Sequence, residues 1–146
     1  MPTPLQNKVF DELKVGDSAT ITKTLTKQDI EIFAVVTGDI NPAHLDESFA
    51  KKDIFKKIVG HGMWGGTLIS TILGTILPGP GTIYLEQTLK FLKPIGVDDK
   101  VSITVTVKEK IEVGNRARLS CTCINQLGQE VMTGEALVIV PTQKIS

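Results

Sequence analysis

Two residue types that can move protons stand five positions apart: Asp39 and His44, in the stretch FAVVTGDINPAHLDESFA over 33–50. Gly38, Asn41 and Pro42 surround them. A carboxylate and an imidazole on one constrained loop can hold a single water between them. One takes its proton and the other delivers a proton elsewhere, and histidine can serve in either role near neutral pH. An aspartate walled by apolar surface can act as the acid. The same residues also permit a plainer reading, in which Asp39 caps a loop and His44 satisfies a backbone carbonyl. On a continuous helix a five-residue offset would point the two side chains about 140° apart. Pro42 lacks an amide hydrogen and pushes Asn41 out of the helical region. A loop broken there could bring the pair back to one side.

A second element with chemical potential is His61-Gly62-Met63, at the entry to GMWGGTLISTILGTIL over 62–77. This segment carries no charge and is apolar or small on every side, which predicts a helix buried all round. Its first amides and positive dipole end face whatever lies before it. With glycine at 62 a ligand oxygen could approach the backbone, an arrangement suited to an oxyanion such as a thioester enolate. An ordinary buried helix start fits the same residues. His61 reads as a solvent-facing boundary residue rather than a second catalytic histidine. Pro78-Gly79-Pro80-Gly81 ends the helix; it follows no strand and lacks the Lys-Ser/Thr ending of a phosphate loop.

The remaining segments position these two. Residues 1–17 read as an extended arm. Ser18–Leu25 alternates in part, and Lys23 interrupts its apolar face, which suits an edge strand. Thr26 and Asp29 form a capping box before a helix with Ile30, Phe33, Ala34 and Thr37 on one stripe, closed by Gly38. Asp46 caps a short helix with Glu47 first and Lys51 and Lys52 last. Four alternating stretches follow: Ile83 to Phe91, Val101 to Lys108, Arg116 to Cys123, and Val131 to Val140, the last apolar on both faces in its second half. They read as antiparallel strands, each with one face inward. The fold class is α+β, with a curved sheet wrapped around one long apolar helix.

Composition narrows the function. The 146 residues suit a single domain over 1–146; 41% are apolar and 22% charged, and 16 basic residues balance 16 acidic ones. No basic excess points to nucleic acid. No stretch reaches the roughly 20 apolar residues of a membrane span. The N-terminus shows no secretory pattern. Cys121 and Cys123, at i and i+2, match no metal or redox motif and suit a reducing compartment. The expectation is a cytoplasmic protein with no membrane or nucleic-acid partner and no metal.

The motif Thr37-Gly38-Asp39-x-Asn41-Pro42-x-His44, followed by Ala50, resembles the signature of the MaoC-like (R)-specific enoyl-CoA hydratases. The likeness continues through His61-Gly62-Met63, Leu77-Pro78-Gly79-x-Gly81-Thr82-Ile83-Tyr84-Leu85 and Gly134-Glu135-Ala136. It is closest to the MaoC-like domain found fused to a phosphate acetyl/butyryltransferase. The resemblance implies a hot-dog fold, a homodimer or larger assembly, and a site near the subunit interface. It implies Asp39 and His44 as the catalytic pair, Gly62 as oxyanion-hole donor and Ser70 as a supporting residue. Asn41, Met63, Trp64, Lys56 and Lys57 would contact the acyl-CoA substrate. Trp64 could limit the pocket, and a lysine cluster including Lys51 and Lys52 could face coenzyme A phosphates. No cofactor is required, because coenzyme A belongs to the substrate. Which of the pair is base and which acid stays open. So do a carrier-protein dehydratase, a hot-dog thioesterase and a non-catalytic acyl-CoA-binding module. The thioesterase usually needs an acid or nucleophile near the central helix, and 62–77 holds no carboxylate.

Overall fold

A computed structural model describes residues 4–54 and 57–145. The elements run β1 (Ser18–Thr24), α1 (Lys27–Thr37), α2 (Pro42–Leu45), α3 (Glu47–Lys52), α4 (Gly62–Thr75), β2 (Ile83–Phe91), β3 (Lys100–Ile111), β4 (Arg116–Ile124) and β5 (Glu130–Ile139). The five strands form one antiparallel sheet in the order β1-β3-β4-β5-β2.

Alternation decides which face of the sheet is buried. Val101, Ile103, Val105 and Val107 on β3, and Ala117, Leu119, Cys121 and Cys123 on β4, are at most 2% exposed. Trp64, Leu68, Ile69, Ile72 and Leu73 of α4 join them in one core. Each large apolar side chain so buried contributes roughly 1.5–3 kcal/mol. β1 is an edge strand, as Lys23 suggested.

Local signals set the segment above α4. Thr26 and Asp29 exchange both capping-box hydrogen bonds, and Gly38 closes α1 in the left-handed region at φ 78°. Asn41 caps α2 through its side chain, with Pro42 as its first residue. Asp46 accepts from the amides of Ser48 and Phe49 and starts α3.

Three expectations need correction. The N-terminal residues are no simple arm: Phe10 and Leu13 enter the core, and the amides of Lys8 and Phe10 donate to the carbonyls of Pro78 and Pro141. Helix α4 is not buried all round. The sheet covers one side of it, and Met63, Thr67, Ser70, Thr71 and Gly74 form an exposed stripe on the other. Nor does β2 hide one face. Its alternation slips at a bulge between Tyr84 and Glu86, and Ile83, Leu85 and Phe91 stay 54%, 44% and 53% exposed. β2 is the far edge strand, with no neighbour beyond it among the described residues.

Candidate active site

Asp39 follows directly on the left-handed turn at Gly38, and three hydrogen bonds hold it. Its amide donates to Thr37 Oγ1 at 3.1 Å, and its Oδ1 accepts from the Asn41 amide at 3.2 Å. Its carbonyl oxygen accepts from His61 Nε2 at 2.9 Å. The side chain is exposed rather than walled by the helix, and Oδ2 has no protein partner among the described residues.

His44 sits on α2, the single turn that Pro42 initiates, and not in an open loop. It is half-buried, with Nδ1 2.7 Å from the Val59 carbonyl oxygen. A carbonyl oxygen can only accept, so Nδ1 carries the hydrogen and Nε2 is left for chemistry. Val59 is itself pinned. It bridges to Gly96, and the next amide, Gly60, donates to the Ile95 carbonyl at 2.7 Å. The expected return of the pair to one side occurs: ligating atoms of Asp39, His44 and His61 all lie within 4.8 Å of one another. One water accepting and donating bonds of about 2.8 Å can span that separation.

His61 is 3% exposed, which corrects the reading of it as a solvent-facing residue. Its ring lies 4.1 Å from that of His44, tilted by 34°, and 4.9 Å from that of Phe33. The three residues are a group among the described residues that could hold a metal ion. Each ring already gives one nitrogen to a main-chain carbonyl, Nδ1 of His44 to Val59 and Nε2 of His61 to Asp39, which leaves at most one nitrogen per ring for an ion.

Two cavities, each of about 300 Å³, meet here. One is lined by His44, Gly60, Gly62, Phe91, Ile95 and Met132 among others. The other lies against Phe33, Thr37, Asp39, Met63 and Phe91. His61 and Gly62 border both. Gly62 opens α4, where an amide has no intrahelical acceptor. A cap on the His61 side chain is absent as well.

The other candidates are placed as follows. Met63 borders the Asp39 cavity and is 55% exposed. Trp64, expected at the substrate, is 5% exposed on the sheet side of α4, where it packs in the core. Asn41 spends its side-chain oxygen on the Ala43 amide at 3.0 Å. Ser70 is two turns along α4, on a separate groove with Met63, Gly66, Thr67 and Tyr84, and within one chain it does not join the Asp39–His44 group. Lys57 lines a groove with Lys51 and Glu47, and Lys56 lies outside the described residues. The sequence reading missed the Val59 carbonyl, Phe91 and Met132. Phe33 and Thr37 were already visible as one stripe of α1, and Thr37 opens the signature motif, although neither was given a role at the site.

An antiparallel sheet laid on one long helix, with an Asp–His pair on the cavities that the helix's first residue also lines, defines a hot-dog domain equipped for acid–base chemistry. Residues 12–124 match the MaoC like domain, and the chain belongs to that family. It is 45% identical over 136 residues to a 3-hydroxybutyryl-CoA dehydratase of Methylorubrum extorquens, covering 92% of this chain and 85% of that protein. It is 42% identical over 134 residues to an (R)-specific enoyl-CoA hydratase of Rhodospirillum rubrum, covering 92% of each. The unliganded R-hydratase PhaJ1 from Pseudomonas aeruginosa superposes with a TM-score of 0.92 at 42% identity, over 97% of this chain and 90% of that one.

Proposed function

We propose that the chain is a hydro-lyase that adds water reversibly to a trans-2-enoyl-CoA and yields the (R)-3-hydroxyacyl-CoA. The observation that carries this reading is the approach of the Asp39 carboxylate and a His44 ring nitrogen to within 4.8 Å, beside the first amide of α4. The names of the Methylorubrum and Rhodospirillum relatives support the reaction, and the latter supports the (R) configuration.

The hydrogen bond from His44 Nδ1 to the Val59 carbonyl makes Nε2 the nitrogen that exchanges protons. A water rests between Nε2 and the free oxygen of Asp39. As its oxygen bonds to C3, Nε2 takes one proton and Asp39 keeps hold of the other hydrogen, which remains in the product hydroxyl. The C2=C3 electrons move toward the thioester oxygen, and the Gly62 amide holds the charge. The imidazolium, steadied by the Asp39 carboxylate, returns its proton to C2. No cofactor takes part, and coenzyme A enters only as the thioester. Lys51 and Lys57, on one groove, suit its phosphates. A second copy of the chain covers the exposed α4 stripe and the β2 edge. Two unpaired thiols, Cys121 and Cys123, favour the cytoplasm.

The direct test is loss of enoyl-thioester absorbance on adding the protein to crotonyl-CoA, with product assigned by an enantiomer-specific dehydrogenase. Asp39→Asn and His44→Ala should each lower kcat at least about 10²-fold. Release of free thiol would instead make the protein a thioesterase. Turnover confined to the carrier-protein thioester would make it a carrier-protein dehydratase.

A further inference from the structure

His61 takes no step in the reaction just described, yet it is buried and bonded to the machinery. The bond from Nε2 to the Asp39 carbonyl requires a hydrogen on Nε2, which leaves Nδ1 of a neutral ring as a lone pair. Among the described residues that nitrogen is buried without a partner. His44 shows the reverse arrangement, with Nδ1–H donated to the Val59 carbonyl. Two stacked rings thus hold opposite tautomers, each fixed by a main-chain oxygen.

The non-local character of the bond matters most. The other two hydrogen bonds that hold Asp39 come from residues two positions away, Thr37 and Asn41, and travel with the loop. The His61 bond spans 22 positions. Among the described residues it is the one hydrogen bond tying Asp39 to the strand-packed part of the chain. His61 also directly precedes Gly62, so one residue connects the Asp39 main chain, the His44 ring and the first amide of α4. Packing alone would not retain a buried orphan nitrogen, since a phenyl ring would fill the same space without it.

We propose that His61 is a positioning residue for the hydration reaction. Its Nε2–H fixes the Asp39 main chain and its ring face sets the plane of His44, so that the carboxylate and His44 Nε2 stay one water apart. The inference rests on the reading of Asp39 and His44 as the catalytic pair.

The test uses the full chain. His61→Phe keeps a ring against His44 and Phe33 but removes the donor. It should leave the urea midpoint unchanged or raised and KM within about threefold, while kcat on crotonyl-CoA falls about tenfold or more. His61→Gln can donate from near the Nε2 position and should recover most of that loss. A His61→Phe kcat within twofold of the unmodified chain would overturn the proposal. So would equal losses in both variants that follow the loss of folded protein. The chain has 2 histidines, so ring ¹⁵N spectra near pH 8 report both tautomers without any activity assay. One ring protonated at Nδ1 and one at Nε2 is the result required; two alike would overturn it. If crotonyl-CoA is not hydrated at all, the enzymatic reading fails, while the spectra still decide the His61 bond.

Discussion

The Gly62 amide can be removed almost without disturbing the backbone. Gly62 is the first residue of α4, a position that tolerates proline because its amide has no helical acceptor. His61 before it sits at φ −61° and ψ 131°, already the conformation a residue preceding proline must adopt. A Cβ at 62 would meet the Phe91 ring at 3.4 Å, an ordinary contact. Gly62→Pro should therefore fold with a near-unchanged urea midpoint and lose about 10²–10³-fold in kcat on crotonyl-CoA, the cost of one oxyanion donor. A fully active Gly62→Pro would remove this amide from the mechanism. At this scale the acid, the imidazole and the glycine were legible as residue types. Their protonation geometry was not, because the carbonyl that fixes the His44 tautomer belongs to Val59, fifteen positions away.

The elements are held by contacts that periodicity shows only in part. Gly134 on β5 faces Leu89 of β2, and a Cβ there would lie 2.0 Å from the Thr88 carbonyl oxygen. Backbone cannot yield as a side chain can, so Gly134→Ala should cost about 1–3 kcal/mol or more in urea unfolding. It should also lower activity, because β2 carries Phe91 to both cavities. Thr26→Ala offers the contrast. It removes a cap on α1, costs about 1 kcal/mol, and should leave kcat intact. Capping signals, alternation on β3 and β4, and the long apolar helix could all be read from the chain because each is a local pattern. The bulge near Leu85 could not. The pattern of 83–91 runs in unbroken alternation through the slip between Tyr84 and Glu86, so nothing in it marks where the register changes.

For the molecule as a whole, burial pushes the Cys121 and Cys123 thiols up to about 11. A raised thiol pKa favours the fold while the thiol is neutral. That contribution is full below the ordinary thiol range and is lost as pH climbs from about 9 toward 11. The urea midpoint should thus hold from pH 7 to 8.5 and fall above 9, with a shallower fall in a Cys121→Ala/Cys123→Ala variant. A slope unaffected by that variant would assign the alkaline loss to other groups.

The proposed association also belongs to the whole molecule. Ile83, Leu85 and Phe91 on the β2 edge, Met63 on α4 and Ile76 just after it remain 44–55% exposed, beside a strand edge that no other strand pairs among the described residues. An edge of this kind is a template for pairing, and natural sheets usually blunt one with charge when it stays free. A helix without a single charge, left open along Met63, Thr67, Ser70 and Thr71, adds surface that water covers poorly. The sequence showed the apolar helix but not that half of it would stay uncovered, since one chain has only enough sheet for one side. Light scattering should give at least twice the chain mass. Ile83→Lys with Leu85→Lys should reduce it to a single chain and abolish most hydration, because Phe91 and Met63, which border the cavities, share the surface that a second copy would order. A wild-type chain that is monomeric and fully active would show instead that the exposed stripe has no part in catalysis, and that the two cavities of one chain suffice.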